Sequence, residues 1–402
     1  MVSSTSLRYL NLSNNNFTGP IPNCSVSLEV LDLSNNLLSG KIPSEIGVCS
    51  SLKTPNLALN YLVGKITISI SNITDLQFLS LSGNVLIGQI PPEIGLCLNL
   101  KTLDLGANYL LGKIPSSISN ISGLQFLTLA SNNLIGQILS EIGPLKSLKW
   151  IYIGNNNFSG KIPEELEILE LSGNMLSGKI PPQIGQCSNL KLLDLSGNYL
   201  VGRIPSSISN ISSLQILTLA YNELIGQIPH GLSKMKSLKW IYFGHNNLCG
   251  KIPRELVNLV SLNHLNLLYN NLKGQIPSSL GNLTNLQYLF LYGNKLIGLL
   301  PRSIFGLKKL VELDLSYNHL SGEISELIIE FQSLEILHLS FNNFSGKIPN
   351  APAFLPRLQL ICLSLNNLTG EIPSLICNIS SIEVLNLAHN NLWNHSTRSG
   401  KL

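Results

Sequence analysis

Residues 262–277 read LNHLNLLYNNLKGQIP, and these sixteen positions decide the fold. Leu265 and Leu267 alternate with period two around Asn266, which puts both leucines on one face of a short strand and the residues between them on the other. Asn270, Gly274 and the pair Ile276-Pro277 then follow at fixed intervals. Working outward in both directions, the same L-x-x-L-x-L-x-x-N-x-L-x-G-x-I-P pattern starts at Leu7, Leu28, Leu52, Leu76, Leu100, Leu124, Leu148, Leu166, Leu190, Leu214, Leu238, Leu262, Leu286, Leu310, Leu334, Leu358 and Ile382. These seventeen units are spaced by 24 residues, apart from one step of 21 and one of 18.

A tandem unit of this length and form is a leucine-rich repeat. Its expected fold is an α/β solenoid, a right-handed superhelix whose strands stack into one long parallel sheet on the concave face. At about 4.8 Å between neighbouring strands, seventeen units give an inner face roughly 80 Å long. A length of 402 residues would otherwise suggest two or three globular domains. The period predicts instead a single repeat domain over 1–402, with units from about 7 to 393 and short ones at 7–27 and 148–165. The position after the strand is Asn in all seventeen units, and a buried amide there can bond backbone groups of its own turn and the neighbouring one. Four residues later stands Gly in sixteen units and Asn394 in the last, as a bend requires. Ile-Pro then buries an aliphatic and fixes the next φ, so a short extended piece precedes the convex segment.

The stretch starting at Asn99, NLKTLDLGANYLLGKIPSSISNISGLQFLTLASNNLIGQI, recurs ninety residues on as NLKLLDLSGNYLVGRIPSSISNISSLQILTLAYNELIGQI from Asn189. Both copies run on to KSLKWIY, at Lys146 and Lys236. The 18-residue unit at 148–165 closes the first copy and lacks the usual convex stretch, which reads as a recombination junction with a local bend.

Composition narrows the function. The chain is 44% apolar and 12% charged, and its net +4 comes from 26 basic and 22 acidic residues without a basic run, so no nucleic-acid partner is expected. No run of eighteen apolar residues is present to span a membrane, and residues 1–16, MVSSTSLRYLNLSNNN, lack the pattern of a secretion signal. No two of the seven cysteines, at 24, 49, 97, 187, 249, 362 and 377, form a C-x-x-C pair. Cys49, Cys97 and Cys187 each precede a repeat start by three residues, which implies buried small hydrophobes. Stacked turns two repeats apart lie about 10 Å from each other, too far for a bridge.

Catalytic constellations are missing. Gly173 to Lys179 (GNMLSGK) imitates a phosphate-binding loop, but Ile180 replaces the hydroxyl that would hold magnesium. No V-A-I-K, H-R-D, D-F-G or G-x-S-x-G stretch occurs, and the seven histidines show no H-E-x-x-H spacing. The chain is therefore expected to be no enzyme, with no cofactor and no metal. What the scaffold leaves free are the outward positions of the strands. In repeats three to six these are mostly bland, as at Ser80, Ser82, Gly106 and Ala130, with Phe78 and Phe126 as exceptions. From Tyr221 onward they turn aromatic: Trp240, Tyr242, His245, His264, Tyr269, Tyr288, Phe290, Tyr292, Tyr317, His338 and Phe341. Amphipathic rings facing solvent dominate binding hot spots, so these twelve residues form the candidate ligand track. The competing reading is that rings on neighbouring strands simply cover one another; the earlier pair Trp150 and Tyr152 follows from the duplication. Twelve Asn-X-Ser/Thr sequons occur, and Asn72, Asn120, Asn210, Asn282 and Asn378 each lie four residues before a repeat start, on the convex flank, as candidate glycosylation sites of a secreted chain.

With L-S-G-K-I-P, I-G-Q-I-P and S-G-N-x-L in place, the chain resembles the plant-specific repeats of receptor-like kinases and receptor-like proteins along essentially its whole length. SLRYLNLSNNNFTG, KMKSLKWIYFGHNNLCGKIP, SLNHLNLLYNNLKGQIPSSLGNL and SLEILHLSFNNFSGKIP look especially like the ectodomains of sterility-regulating receptor-like kinases, relatives of receptors for small secreted CLE-type peptides. The resemblance implies a glycosylated ectodomain on the extracellular side of the plasma membrane, acting in signal transduction. It further implies a secreted peptide or protein ligand lying extended on the inner face, a shorter leucine-rich-repeat co-receptor kinase as partner, and no membrane contact by this segment. The full-length relative would carry a Ser/Thr kinase domain. The Arg-x-Arg pair with which such receptors hold a peptide carboxylate is not reproduced at Arg203, Arg254, Arg302 or Arg357. Paired-cysteine caps, membrane helix and kinase are not in this sequence, so an internal piece of an ectodomain, or a non-signalling receptor fragment, is expected. A secreted inhibitor of a cell-wall hydrolase, like the polygalacturonase-inhibiting proteins, is the alternative.

Overall fold

Each repeat builds a three-residue inner strand where the leucines alternate. The computed structural model describes residues 6–23, 25–137, 142, 145, 147–159, 167–350, 355–373 and 381–393. The chain divides into two compact units, Met1–Leu200 and Val201–Leu402.

In the first unit, nine inner strands from Tyr9–Asn11 to Leu192–Asp194 pair in parallel. The register matches equivalent residues, Phe78 opposite Thr102 and Leu79 opposite Leu103, so the apolar columns coincide. It passes through the short repeat without a slip, Trp150 opposite Ile168. Seven further strands, from Thr18–Gly19 to Asn157–Ser159, form a second parallel sheet beside the first; the sequence reading had placed only an extended piece there. In the second unit, eight inner strands from Ile216–Thr218 to Val384–Asn386 pair the same way, again with second strands, from Glu223–Gly226 to Asn391–Leu392.

The convex side of both units is built from five-residue 3-10 turns such as Ser116–Asn120 and Ser278–Asn282. Pro277 precedes one of them at φ −62° and ψ 130°, so the ring's fixed φ delivers the chain into the turn. Gly274, at φ 82°, makes the bend before it; a Cβ there would also approach Lys251 Cγ to 3.1 Å. Leu262, Leu265, Leu267, Leu272, Ile276 and Leu280 close the core of that repeat, none more than 3% exposed. Each such side chain contributes about 1.5–3 kcal/mol by leaving water.

The ladder asparagine joins repeat to repeat. Asn270 Nδ2 donates to the carbonyls of Phe243 at 3.0 Å, Leu267 at 3.2 Å and Leu268 at 3.1 Å, while its Oδ1 accepts from Leu248 N at 2.9 Å. The same set recurs along both units, and in the short repeat Phe158 N still reaches Asn174 Oδ1 at 3.1 Å.

Cysteine usage is one correction to the sequence reading. Cys97 and Cys187 are buried as expected, but Cys49 is disulfide-bonded, with its partner outside the described residues. The two-repeat spacing argument considered only cysteines that share a position in the repeat, and so it missed a bridge to a cysteine placed elsewhere.

Candidate functional site

The residue just before each ladder asparagine bends the chain off the inner strand, and it does so with a positive φ. In the first unit this place is held mostly by small or turn-forming residues, Asn35, Gly83, Ala107, Ser131 and Asn155 among them, with Leu59 as a bulky exception. In the second unit it is held by Tyr221, His245, Tyr269, Tyr317 and Phe341, at φ between 46° and 54°. Bulky side chains are uncommon in the left-handed region, where each costs roughly 1–2 kcal/mol.

Those five rings and Tyr292 form one unbroken run. Centroids lie 4.1 Å apart for Tyr221–His245, 4.5 Å for His245–Tyr269, 4.5 Å for Tyr269–Tyr292, 5.4 Å for Tyr292–Tyr317 and 3.8 Å for Tyr317–Phe341. Gly293 takes the left-handed position in the middle repeat, and Tyr292, one residue earlier, supplies the ring that keeps the run continuous. The hydroxyls of Tyr269 and Tyr292 meet. Burial first, and then that hydrogen bond, raise the Tyr292 phenol far above its ordinary value. Ring pairs add about 0.5–1.5 kcal/mol each beyond burial, so the stacking offsets the backbone strain and little more. Tyr221, Tyr269, Tyr317 and Phe341 remain 60, 44, 48 and 38% exposed.

A second group lies lower on the inner strands. His264 packs against Trp240 at 4.9 Å, Tyr242 at 6.2 Å and, stacked at 16°, Tyr288 at 4.4 Å; Phe290 follows Tyr288 at 6.2 Å. Burial lowers the pKa of His264, and likewise that of His245. Among the described residues, His264 Nδ1 is the one buried side-chain N or O atom without a hydrogen-bond partner. Burial, then the charge of Tyr288, raises the Tyr242 phenol.

The twelve sequence-selected residues thus resolve into two ring groups rather than one track. His338 joins neither; it stands in register with Asp314 and Cys362. Sequence reasoning passed over Glu312 and Asp314, opposite Tyr288 and Phe290. Burial, followed by the neighbouring Asp314, raises the Glu312 carboxyl. It also missed Leu365 and His389, which extend the left-handed column and help line an open groove of about 670 Å³ with Tyr317, Phe341, His319, Asn343 and Asn367. The signal was available: each stands one residue before a ladder asparagine. Among the described residues of the first unit, only Phe126, Trp150 and Tyr152 form a comparable ring group.

On the convex side, Asn72, Asn120, Asn210 and Asn282 each end a 3-10 turn and are exposed. Asn378 lies outside the described residues. Among the described residues no helix is long and apolar enough to cross a membrane, and no group of His, Cys, Asp and Glu could hold a metal ion.

This geometry, stacked parallel strands tied by an asparagine ladder and presenting a variable inner face, defines a leucine-rich-repeat protein. Leucine-rich-repeat family models match at 6–25, 27–49, 75–97, 99–121, 147–187, 189–211, 212–320 and 333–355, and the chain belongs to that family. No curated protein sequence matches it. Among solved structures, it is similar to the ectodomain of the Arabidopsis thaliana membrane receptor kinase GASSHO1/SCHENGEN3, bound to CASPARIAN STRIP INTEGRITY FACTOR 2. Identity there is 33%, the TM-score 0.71, and the match covers 96% of this chain and 56% of that one, so the chain spans little more than half of that ectodomain. The Arabidopsis receptor kinase HAESA, in complex with the peptide hormone IDA and the co-receptor SERK1, is 30% identical with a TM-score of 0.61, covering 96% of this chain and 78% of that one. A leucine-rich-repeat protein of Leptospira interrogans is 32% identical with a TM-score of 0.76, covering 95% and 96%.

Proposed function

We propose that the chain is the ligand-recognition part of a plant cell-surface receptor, and that it binds an extended secreted peptide along the ring-lined inner face of its second unit. The observation that carries this reading is the run from Tyr221 to Phe341, where stacked rings occupy strained backbone positions that Asn, Ser, Ala and Gly mostly fill in the first unit, Leu59 excepted. Stability does not account for them, because ring pairing and backbone strain nearly cancel. Rigid amphipathic rings with an exposed edge are what a binding surface uses to gain contact area at little entropy cost. Similarity to receptor-kinase ectodomains solved with their ligands supports the same assignment. The reading places the chain outside the plasma membrane, with Asn72, Asn120, Asn210 and Asn282 available for glycosylation on the face away from the ligand. A shorter leucine-rich-repeat co-receptor would complete the signalling assembly. The chain acts by binding, without catalysis of its own.

The test is selection of peptides from a displayed library of extended dodecapeptides, followed by calorimetry of the strongest binder. Affinity should fall at least ten-fold in the triple variant Tyr242→Ala, Tyr269→Ala, Tyr292→Ala while its circular dichroism stays native. Enrichment of no peptide, or unchanged affinity in a folded variant, refutes the proposal.

A further inference from the structure

The second sheet of the first unit carries a feature that ligand binding on the inner face of the other unit does not use. Tyr61, Val63, Val85, Ile87, Tyr109 and Leu111 stand on its solvent side, between 38 and 58% exposed. Register makes them one strip, since Val63 lies opposite Val85 and Ile87 opposite Tyr109. Leu37 and Ile135 extend it at the two ends, 41 and 46% exposed.

The fold does not require apolar residues here. The same two positions in the second unit read Asn271 and Lys273, His319 and Ser321, Asn343 and Ser345, Asn367 and Thr369, on strands paired in the same parallel fashion, and where an aliphatic does occur, at Ile225 and Ile297, it stands beside Glu223 or Lys295. The sequons agree. At the first of these positions an acceptor asparagine occurs as Asn16, Asn157, Asn343 and Asn367, so this sheet has acceptors just before and just after the strip and none within it.

The two half-exposed tyrosines leave on the order of 100 Å² each and the six aliphatics somewhat less, so the eight present roughly 600–700 Å². That is at or above the largest apolar patch of an ordinary monomer, roughly 300–600 Å². It approaches what one partner contributes to an interface of standard size, about 800 Å².

We infer that this strip is a self-association surface, and that two copies of the chain pack sheet on sheet through it about a two-fold axis. An isologous patch must be complementary to itself, which an uncharged strip satisfies. Lys41, Lys65 and Lys113 line one edge, their stems lying over Gly64, Gly88 and Gly136. With the axis along the direction in which repeats stack, facing strands run antiparallel. Each lysine edge then meets the partner's opposite edge, built of neutral residues such as Asn35, Gly83 and Ala107, so like charges do not oppose.

Sedimentation equilibrium of the whole chain tests the inference. The expected result is a dimer whose dissociation constant rises at least ten-fold in the double variant Val85→Asn, Ile87→Ser. That change writes the N-x-S tripeptide which the fold already accepts at 343–345, so the variant should keep its circular dichroism and melting temperature. Tyr109→Asn with Leu111→Ser gives the same reading one repeat on, should the first variant fold poorly. Asn271→Ala with Lys273→Ala, on the second unit, should leave the dimer intact. A wild-type chain that stays monomeric at about 100 µM overturns the inference, because an interface of this size holds well below that concentration. A dimer that persists unchanged in the folded strip variants overturns it equally.

Discussion

Replacing Tyr317 by Asn separates a ring that packs from a ring that binds. Tyr317 sits at φ 50°, 48% exposed, with centroid contacts to Tyr292 at 5.4 Å and Phe341 at 3.8 Å. Losing two ring pairs costs about 0.5–1.5 kcal/mol each. Relief of the left-handed strain returns roughly 1–2 kcal/mol, because Asn tolerates that conformation, as Asn35 and Asn155 do here. The opposed effects leave a net change between about 1 kcal/mol of stabilisation and about 2 kcal/mol of destabilisation. Urea denaturation of the whole chain measures that change, and calorimetry with a library-selected peptide measures binding. The expected outcome is a stability loss of no more than about 2 kcal/mol beside an affinity lowered at least ten-fold. A loss of more than about 3 kcal/mol, the scale of truncating a buried leucine, would refute the reasoning and make the rings part of the scaffold.

Other outcomes follow from the same structure. Asn270→Ala strands the buried Leu248 N–H, while the Phe243 carbonyl keeps the Asn246 amide, and at about 1–3 kcal/mol for the orphaned group it should cost roughly 1–3 kcal/mol by denaturation; Asn15→Ala should cost under about 1 kcal/mol, since Asn15 is exposed and its amide donates only within its own turn. NMR titration should place the imidazole midpoints of His245 and His264 below the ordinary 6.5, because burial disfavours their charged forms. The unfolded chain then protonates first, so their contribution to stability is full above pH 6.5 and shrinks as pH falls toward the folded midpoints, a slope that His264→Gln should reduce in pH-dependent melting. Maleimide in native conditions should label exposed Cys249 and spare Cys97, whose thiol burial pushes up to about 11, until the chain is unfolded.

Much of the fold was legible because it rests on one-residue requirements repeated many times. A buried amide that must bond two adjacent turns admits only Asn at positions such as 84 and 270, and a bend at φ near 84° selects Gly, so both columns stand out in the bare sequence. The second strands were not legible, since Tyr61–Gly64 and Asn271–Gly274 share geometry but not composition. For the site, period-two alternation found the rings but not their division. Tyr221, Tyr269 and Tyr317 were read as outward strand positions, whereas they stand past the strand end, in a left-handed turn that no alternation rule describes. Glu312 and Asp314 escaped because the search followed aromatic rings, whereas burial, and then Asp314 two residues on in the same strand, raises the Glu312 carboxyl. Cys49 escaped because a bridge depends on the path of the chain outside the repeat pattern.

The most direct measurement locates the ligand itself. With Tyr317→p-benzoylphenylalanine on the inner side of the second unit, and Ile329→p-benzoylphenylalanine on its convex turn as a control, irradiation in the presence of a labelled selected peptide should mark the chain at 317 and leave 329 unmarked. Labelling at 329, or none at 317 in a chain that still binds the peptide, would contradict recognition by the inner face.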